Sequence, residues 1–117
     1  MQSILVVDDE VALGRLYERE LEEEGYKVFL AKNGAEALRI AQDQSIDLMV
    51  LDIKMEGKDG LEVLNEFRHK NADTPVILNS AYSTYKDDFS SWLADAYLVK
   101  SSNLGELKAK IRELIRF

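Results

Sequence analysis

Four short apolar runs in this 117-residue chain each end in a side chain able to do chemistry. Leu48-Met49-Val50-Leu51 stops at Asp52, and Ile4-Leu5-Val6-Val7 stops at Asp8-Asp9. Val76-Ile77-Leu78-Asn79 leads to Ser80, and Tyr97-Leu98-Val99 leads to Lys100. A continuous apolar run of this length, bounded by polar residues, predicts a strand buried on both faces. Four such strands in one sheet would deliver three carboxylates, a hydroxyl and an ammonium to one edge. Asp8, Asp9 and Asp52 brought together repel one another, and a hard divalent cation, Mg²⁺ or Mn²⁺, relieves the conflict with an all-oxygen ligand set that needs neither cysteine nor histidine. Beside such an ion a carboxylate can attack phosphorus and form an acyl phosphate. Asp52 is the expected nucleophile. Lys100 would supply a fixed positive charge and Ser80 a hydrogen bond to a phosphoryl oxygen, while the small Ala81 leaves room for the group and offers a backbone N–H. Taken singly, each residue has a plainer role: an acid pair capping a helix, a serine in a turn, a solvated lysine closing an edge strand. Their joint placement favours the chemical reading.

The elements that must hold these residues follow from the periodicity. Leu13, Leu16, Tyr17 and Leu21 recur at helical spacing after the first strand, with Arg15, Glu18, Arg19 and Glu22 to Glu24 on the other face and Gly25 as the stop. Tyr26 to Ala31 reads as an edge strand because it includes Lys27, and Asn33-Gly34 breaks it. Ala35 to Gln42 predicts a second helix with Ala37, Leu38 and Ala41 inward. The loop 54–60 leads into a third helix on which Leu61, Leu64 and Phe67 share a face. The chain's only proline, Pro75, opens the fourth strand, where its missing N–H is tolerated. Between Ala81 and Ala94, Ser83-Thr84 predicts the cap of a short helix burying Phe89, Trp92 and Leu93. Ser101-Ser102-Asn103 introduces a last helix with Leu104, Leu107, Ile111, Leu114 and Ile115 inward. Strands alternating with helices five times over imply an α/β domain, a doubly wound five-stranded parallel sheet with right-handed crossovers. In such sheets ligands bind at the carboxyl ends of the strands, beside the topological switch point.

Composition narrows the function further. The length suits one domain, residues 1–117, without a separate output module. The absence of cysteine excludes disulfides and thiolate metal sites and agrees with a reducing cytoplasm. No signal peptide or membrane-spanning apolar run is visible, so a cytoplasmic protein without membrane insertion is expected. A net charge of -7 argues against direct nucleic-acid binding, since a phosphate backbone would be repelled.

With these residues in view, the whole chain resembles the receiver domain of two-component response regulators. The resemblance rests on Asp8-Asp9 after the first strand, Asp52 followed by Met55 and Asp59-Gly60, Ser80-Ala81 after the fourth strand, and Tyr97 three residues before Lys100. It implies a flavodoxin-like (βα)5 fold, related to the chemotaxis regulators, with strand order 2-1-3-4-5. Asp52 becomes the phospho-acceptor, Asp9 a direct Mg²⁺ ligand, Asp8 a water-mediated or supporting one, and the Lys54 carbonyl completes the metal site. Ser80 and Tyr97 become the coupled switch pair. The donor would be the phosphohistidine of a sensor histidine kinase or of a histidine phosphotransfer protein, and the output partner is unknown. By the same resemblance Lys54 and Tyr82 flank the phosphoryl group, and a tyrosine there would restrict the attacking water and lengthen the phosphoryl lifetime.

The chain departs from the family pattern in places. Glu56 stands where a proline is usual. Ser101 follows Lys100 where the family has a cis proline bond, and because a cis bond before a non-proline residue costs about 3–4 kcal/mol, Lys100-Ser101 is expected to be trans. The interval from Ser80 to Lys100 is about two residues short, and Leu93 replaces a glycine, which predicts a short or mobile fourth helix. His69, the sole histidine, is expected on the outer face of the third helix without a role. Competing readings are a pseudo-receiver that is never phosphorylated, a flavodoxin-like cofactor binder, and an aspartate-based phosphatase. Asp8-Asp9-Glu10 would repel a flavin phosphate, and Lys54 stands where a phosphatase needs a second acid. The chain also suits a receiver cut from a longer DNA-binding or enzymatic regulator. The domain turns over only its own phosphoryl group, so it is expected to act as a switch and not as an enzyme.

Overall fold

A computed structural model describes residues 1–53, 60–81, 94–100 and 104–115. In chain order the elements are β1 (Ser3–Val7), α1 (Val11–Glu23), β2 (Lys27–Ala31), α2 (Gly34–Asp43), β3 (Leu48–Leu51), α3 (Gly60–Lys70), β4 (Val76–Ser80), β5 (Ala96–Val99) and α4 (Gly105–Ile115). The strands form one parallel sheet in the order β2-β1-β3-β4-β5. The expected doubly wound, flavodoxin-like order is therefore the one observed. The helix expected between Ala81 and Ala94, with Phe89, Trp92 and Leu93, lies outside the described residues. So do Lys54, Glu56, Tyr82 and the Lys100-Ser101 peptide.

The inner strands are apolar but for Ser3, Asn79 and Ser80, because each is covered on both faces. Ile4, Val6, Leu48, Val50, Ile77 and Leu98 pack with Tyr17 and Leu21 of α1 and Leu107, Ile111 and Ile115 of α4. Their alternating neighbours Leu5, Val7, Met49, Leu51, Val76 and Leu78 pack with Ala37 of α2 and Val63, Leu64 and Phe67 of α3. Period-two alternation thus sorts one strand's residues into two cores. β2 lies at one edge, as Lys27 predicts, and the lysine is exposed there with its ammonium 5.2 Å from the centre of the Phe29 ring.

Helix boundaries differ from expectation where local hydrogen bonding decides them. Asn33 does more than break β2: its side chain accepts the Glu36 N–H at 2.8 Å and caps α2, while the Glu36 carboxylate accepts the Lys32 N–H at 3.1 Å. On α3 Val63 is buried and Leu61 only partly so, since the helix starts at Gly60 and turns that flank toward the sheet. Gly25 ends α1 with φ at 98°, a left-handed conformation that a side chain would strain. Glu24 and Gly25 donate their N–H groups to carbonyls of the last turn, which closes that helix end.

Candidate functional site

β1 and β3 are neighbours, yet the chain leaves β1 toward β2 on one side and reaches β4 on the other. The crevice at the switch point therefore opens beyond the carboxyl ends of β1 and β3. The ladder continues past both strands. The Asp8 N–H donates to the Ala31 carbonyl at 3.0 Å, and the Asp52 N–H donates to the Val7 carbonyl at 3.0 Å. Both acids are thus held by the backbone and are nearly buried, with 5 % exposure each.

The Lys100 ammonium lies between them, 2.9 Å from Asp8 Oδ2 and 3.0 Å from Asp52 Oδ2. Glu10, on the solvent side, is 3.8 Å away. Burial by itself would push the Lys100 ammonium down, but hydrogen bonds and charge attraction from Asp8 and Asp52 outweigh it and raise it above its ordinary 10.5. It therefore carries its charge throughout the neutral range. The second oxygen of Asp8 accepts the Glu10 N–H at 2.9 Å, so this acid closes a two-residue turn ahead of α1 and faces the lysine at once. The helix cap expected of the acid pair is not formed, since α1 is preceded by Glu10 without a side-chain cap hydrogen bond, and the Asp8 bond closes the turn before it.

One carboxylate oxygen from each of Asp8, Asp9 and Asp52 lies within 4.8 Å of the others. Oxygen ligands about 2.1 Å from an octahedral Mg²⁺ stand roughly 3–4 Å apart. Hard oxygen donors at nearly that spacing fit such an ion, and small side-chain rotations would close them on it.

Ser80 is fully buried at the tip of β4. Its carbonyl accepts the Lys100 N–H at 2.6 Å, which ties the two strand tips together. Ala81 follows it and is exposed. Tyr97 is half-buried and packs against the apolar cluster under α2 and α3, opposite Leu78 in the strand register. The structure thus gathers Asp8, Asp9, Asp52 and Lys100 by their side chains and joins Ser80 to them through the backbone. His69 is exposed at the end of α3, as expected.

Three features escape the linear pattern. Glu10 enters the charge cluster from the first turn after Asp9. Gly60 donates its N–H to the Ile53 carbonyl at 2.8 Å, and a methyl group on it would collide with the Asp52 carbonyl oxygen and lie 2.5 Å from Ile53 Cα. Only a residue without a side chain lets α3 start this close beneath the acid. Finally, Asn79 donates to the Tyr17 hydroxyl at 2.8 Å inside the core. The one signal for that bond was a polar residue in an otherwise apolar strand.

Fold and site together define a receiver domain, and comparison with known proteins agrees. The family model described as response regulator receiver domain matches residues 4–112, and the chain belongs to that family. It is 38% identical over 115 residues to the uncharacterized transcriptional regulatory protein YkoG of Bacillus subtilis, covering 97% of this chain and 50% of that protein. The chain thus spans about half the length of the curated relatives it matches. Among solved structures, the response regulator TrrA of Thermotoga maritima in complex with Mg²⁺-BeF is 51% identical with a TM-score of 0.95, covering 97% of this chain and 99% of that one. TrrA in complex with the histidine kinase ThkA is 50% identical with a TM-score of 0.93, covering 99% and 100%. The expectation of a two-component signalling protein is met. No helix among the described residues is long and apolar enough to cross a membrane.

Proposed function

We propose that this receiver is a phosphorylation switch in which Asp52 takes a phosphoryl group from the phosphohistidine of a sensor histidine kinase or a histidine phosphotransfer protein. The observation that carries the reading is the cluster itself: three carboxylates converge, and Lys100 bridges two of them. Asp8, Asp9 and Asp52 would hold Mg²⁺ or Mn²⁺, with the Lys54 carbonyl as a further ligand. The bound ion would neutralise charge on the acids and on the transferring group. An Asp52 oxygen forms the new bond to phosphorus as the phosphorus–nitrogen bond breaks, and the electron pair returns to the imidazole nitrogen. The Lys100 ammonium pairs with a phosphoryl oxygen. Ser80 donates its hydroxyl to another, aided by the Ala81 N–H, and Tyr97 responds as the second member of the switch. By the family resemblance Tyr82 and Lys54 would flank the group and set its lifetime.

The Mg²⁺-BeF complex of TrrA and its complex with ThkA support both the cofactor and the donor. In this reading the protein works in the cytoplasm and catalyses only its own phosphorylation and dephosphorylation. It signals through reversible contact with an output protein and leaves DNA to others. A second reading, a receiver portion of a longer regulator, is favoured by the twofold length of relatives named transcriptional regulators.

Incubation with Mg²⁺ and acetyl phosphate, followed by intact-mass measurement, tests the proposal. The wild type should gain one phosphoryl group, Asp52→Asn none, and EDTA should abolish the gain. An unlabelled wild type would leave the pseudo-receiver reading in its place.

A further inference from the structure

The hydrogen bond from Asn79 to Tyr17 joins two residues 62 positions apart and is buried, with Tyr17 1 % and Asn79 4 % exposed. Tyr17 belongs to α1, the helix that begins just after the acidic pair, and Asn79 precedes Ser80 at the tip of β4. The Ser80 carbonyl in turn accepts the Lys100 N–H. A chain of contacts therefore runs from α1 through Asn79 to the two groups expected to touch the phosphoryl oxygens. The same pair borders a cavity of about 120 Å³, which Leu98, Val99, Leu104, Glu106 and Leu107 complete. Tyr17 and Leu98 pack there with Leu104 and Leu107, and the hydrogen bond adds to that apolar contact a directional tie between α1 and the tip of β4.

Stability alone is a weak reason for the pair. A typical internal hydrogen bond adds little net, and two apolar residues of the same shape would serve nearly as well.

We infer that the Tyr17–Asn79 hydrogen bond is a positioning device for the phosphoryl site, holding the Ser80 hydroxyl and, through the strand ladder, Lys100 where a phosphoryl group on Asp52 would need them. This rests on the phosphorylation reading, and its test separates the two.

Tyr17→Phe keeps the ring and removes only the acceptor, and Asn79→Leu removes the donor. At saturating acetyl phosphate and Mg²⁺, each should slow phosphorylation of Asp52 roughly tenfold, as small displacements of positioned groups do. Mg²⁺ affinity, set by the untouched acids, should stay within about twofold of wild type, measured by calorimetry. The double variant Tyr17→Phe with Asn79→Leu is the decisive control. It removes both polar groups, so it should regain most of the melting temperature without regaining the rate. Recovery of both would reduce the pair to a structural contact, and single variants that phosphorylate at the wild-type rate would overturn the proposal outright. A failure of the wild type to phosphorylate at all would instead be a failure of the switch reading. Amide NMR then still decides the positioning claim, which requires the Ser80 and Lys100 signals to move in Tyr17→Phe while those of Ser3 and Lys27, at the far end of the sheet, stay in place.

Discussion

The two ends of the sheet both use aspartates, and they use them in opposite ways. At the amino end, Asp47 accepts the Ser3 N–H at 2.8 Å, and Asp95 accepts the Val76 N–H at 2.8 Å and an Arg68 N–H at 2.6 Å. Arg68 also donates to the Asn71 and Thr74 carbonyls, so acid, arginine and loop backbone form one network of matched donors and acceptors. At the carboxyl end, Asp8 and Asp52 share the Lys100 ammonium, and Asp9 stands close beside them. Each amino-end acid is matched to strand-opening N–H groups and closes a structural joint. The carboxyl-end acids instead crowd around one shared ammonium, the arrangement on which the proposed cation and phosphoryl chemistry rests. The difference between the two sets of acids lies in their partners and not in the residue type.

The largest expected effect comes from removing the shared cation. Lys100→Met should slow phosphorylation of Asp52 by roughly a hundredfold or more, the scale on which a charge-stabilising donor counts. It should also lower the melting temperature in EDTA, because Asp8 and Asp52 then face each other uncompensated. Added Mg²⁺ should raise that melting temperature more in the variant than in the wild type, and equal gains would show that the lysine does not offset the acids.

Next comes the ion itself. Mg²⁺ at a hundredfold excess over its dissociation constant should stabilise the wild type by about 2.7 kcal/mol, by mass action. Denaturant titrations with and without Mg²⁺ would read this. Asp9→Asn should lose most of the gain, whereas Asp95→Ala should keep it.

The amino end predicts the reverse pattern. Asp95→Ala leaves the Val76 N–H and the Arg68 guanidinium without this acceptor and should cost about 1–3 kcal/mol in urea unfolding. Its phosphorylation rate should remain within about twofold of wild type, since no reacting group is touched. A large loss of rate would mean that the two ends are coupled and the contrast is false.

The smallest effect is the pH response. Lys100 is raised on folding, so its contribution is fully present below 10.5 and is lost only as pH climbs through the higher folded value. Stability traced from pH 7 to pH 10 should therefore be flat as far as this group is concerned, in wild type and Lys100→Met alike. A decline above pH 9 that Lys100→Met abolishes would contradict the ion-pair geometry.

Much of this was legible in the linear chain because the signals are local. Apolar runs ending in Asp8-Asp9, Asp52, Ser80 and Lys100 require strands buried on both faces, and the helical spacing between them requires crossovers. Right-handed crossovers then bring those run ends to one edge. The residues that meet there follow from that pattern, whereas the family and the sheet order follow from the resemblance that those residues carry. Partnership does not, because it depends on distances between segments far apart in sequence. No spacing rule distinguishes Asp95, locked to Arg68 and Val76, from Asp52, set against Lys100. Nor does any show that Gly60 must lack a side chain because the Asp52 carbonyl lies against it, or that Tyr17 of α1 reaches Asn79 of β4. Sequence determined which groups arrive at each end of the sheet. Only the packing of helices on its two faces decided which partner each charge meets and what holds it still.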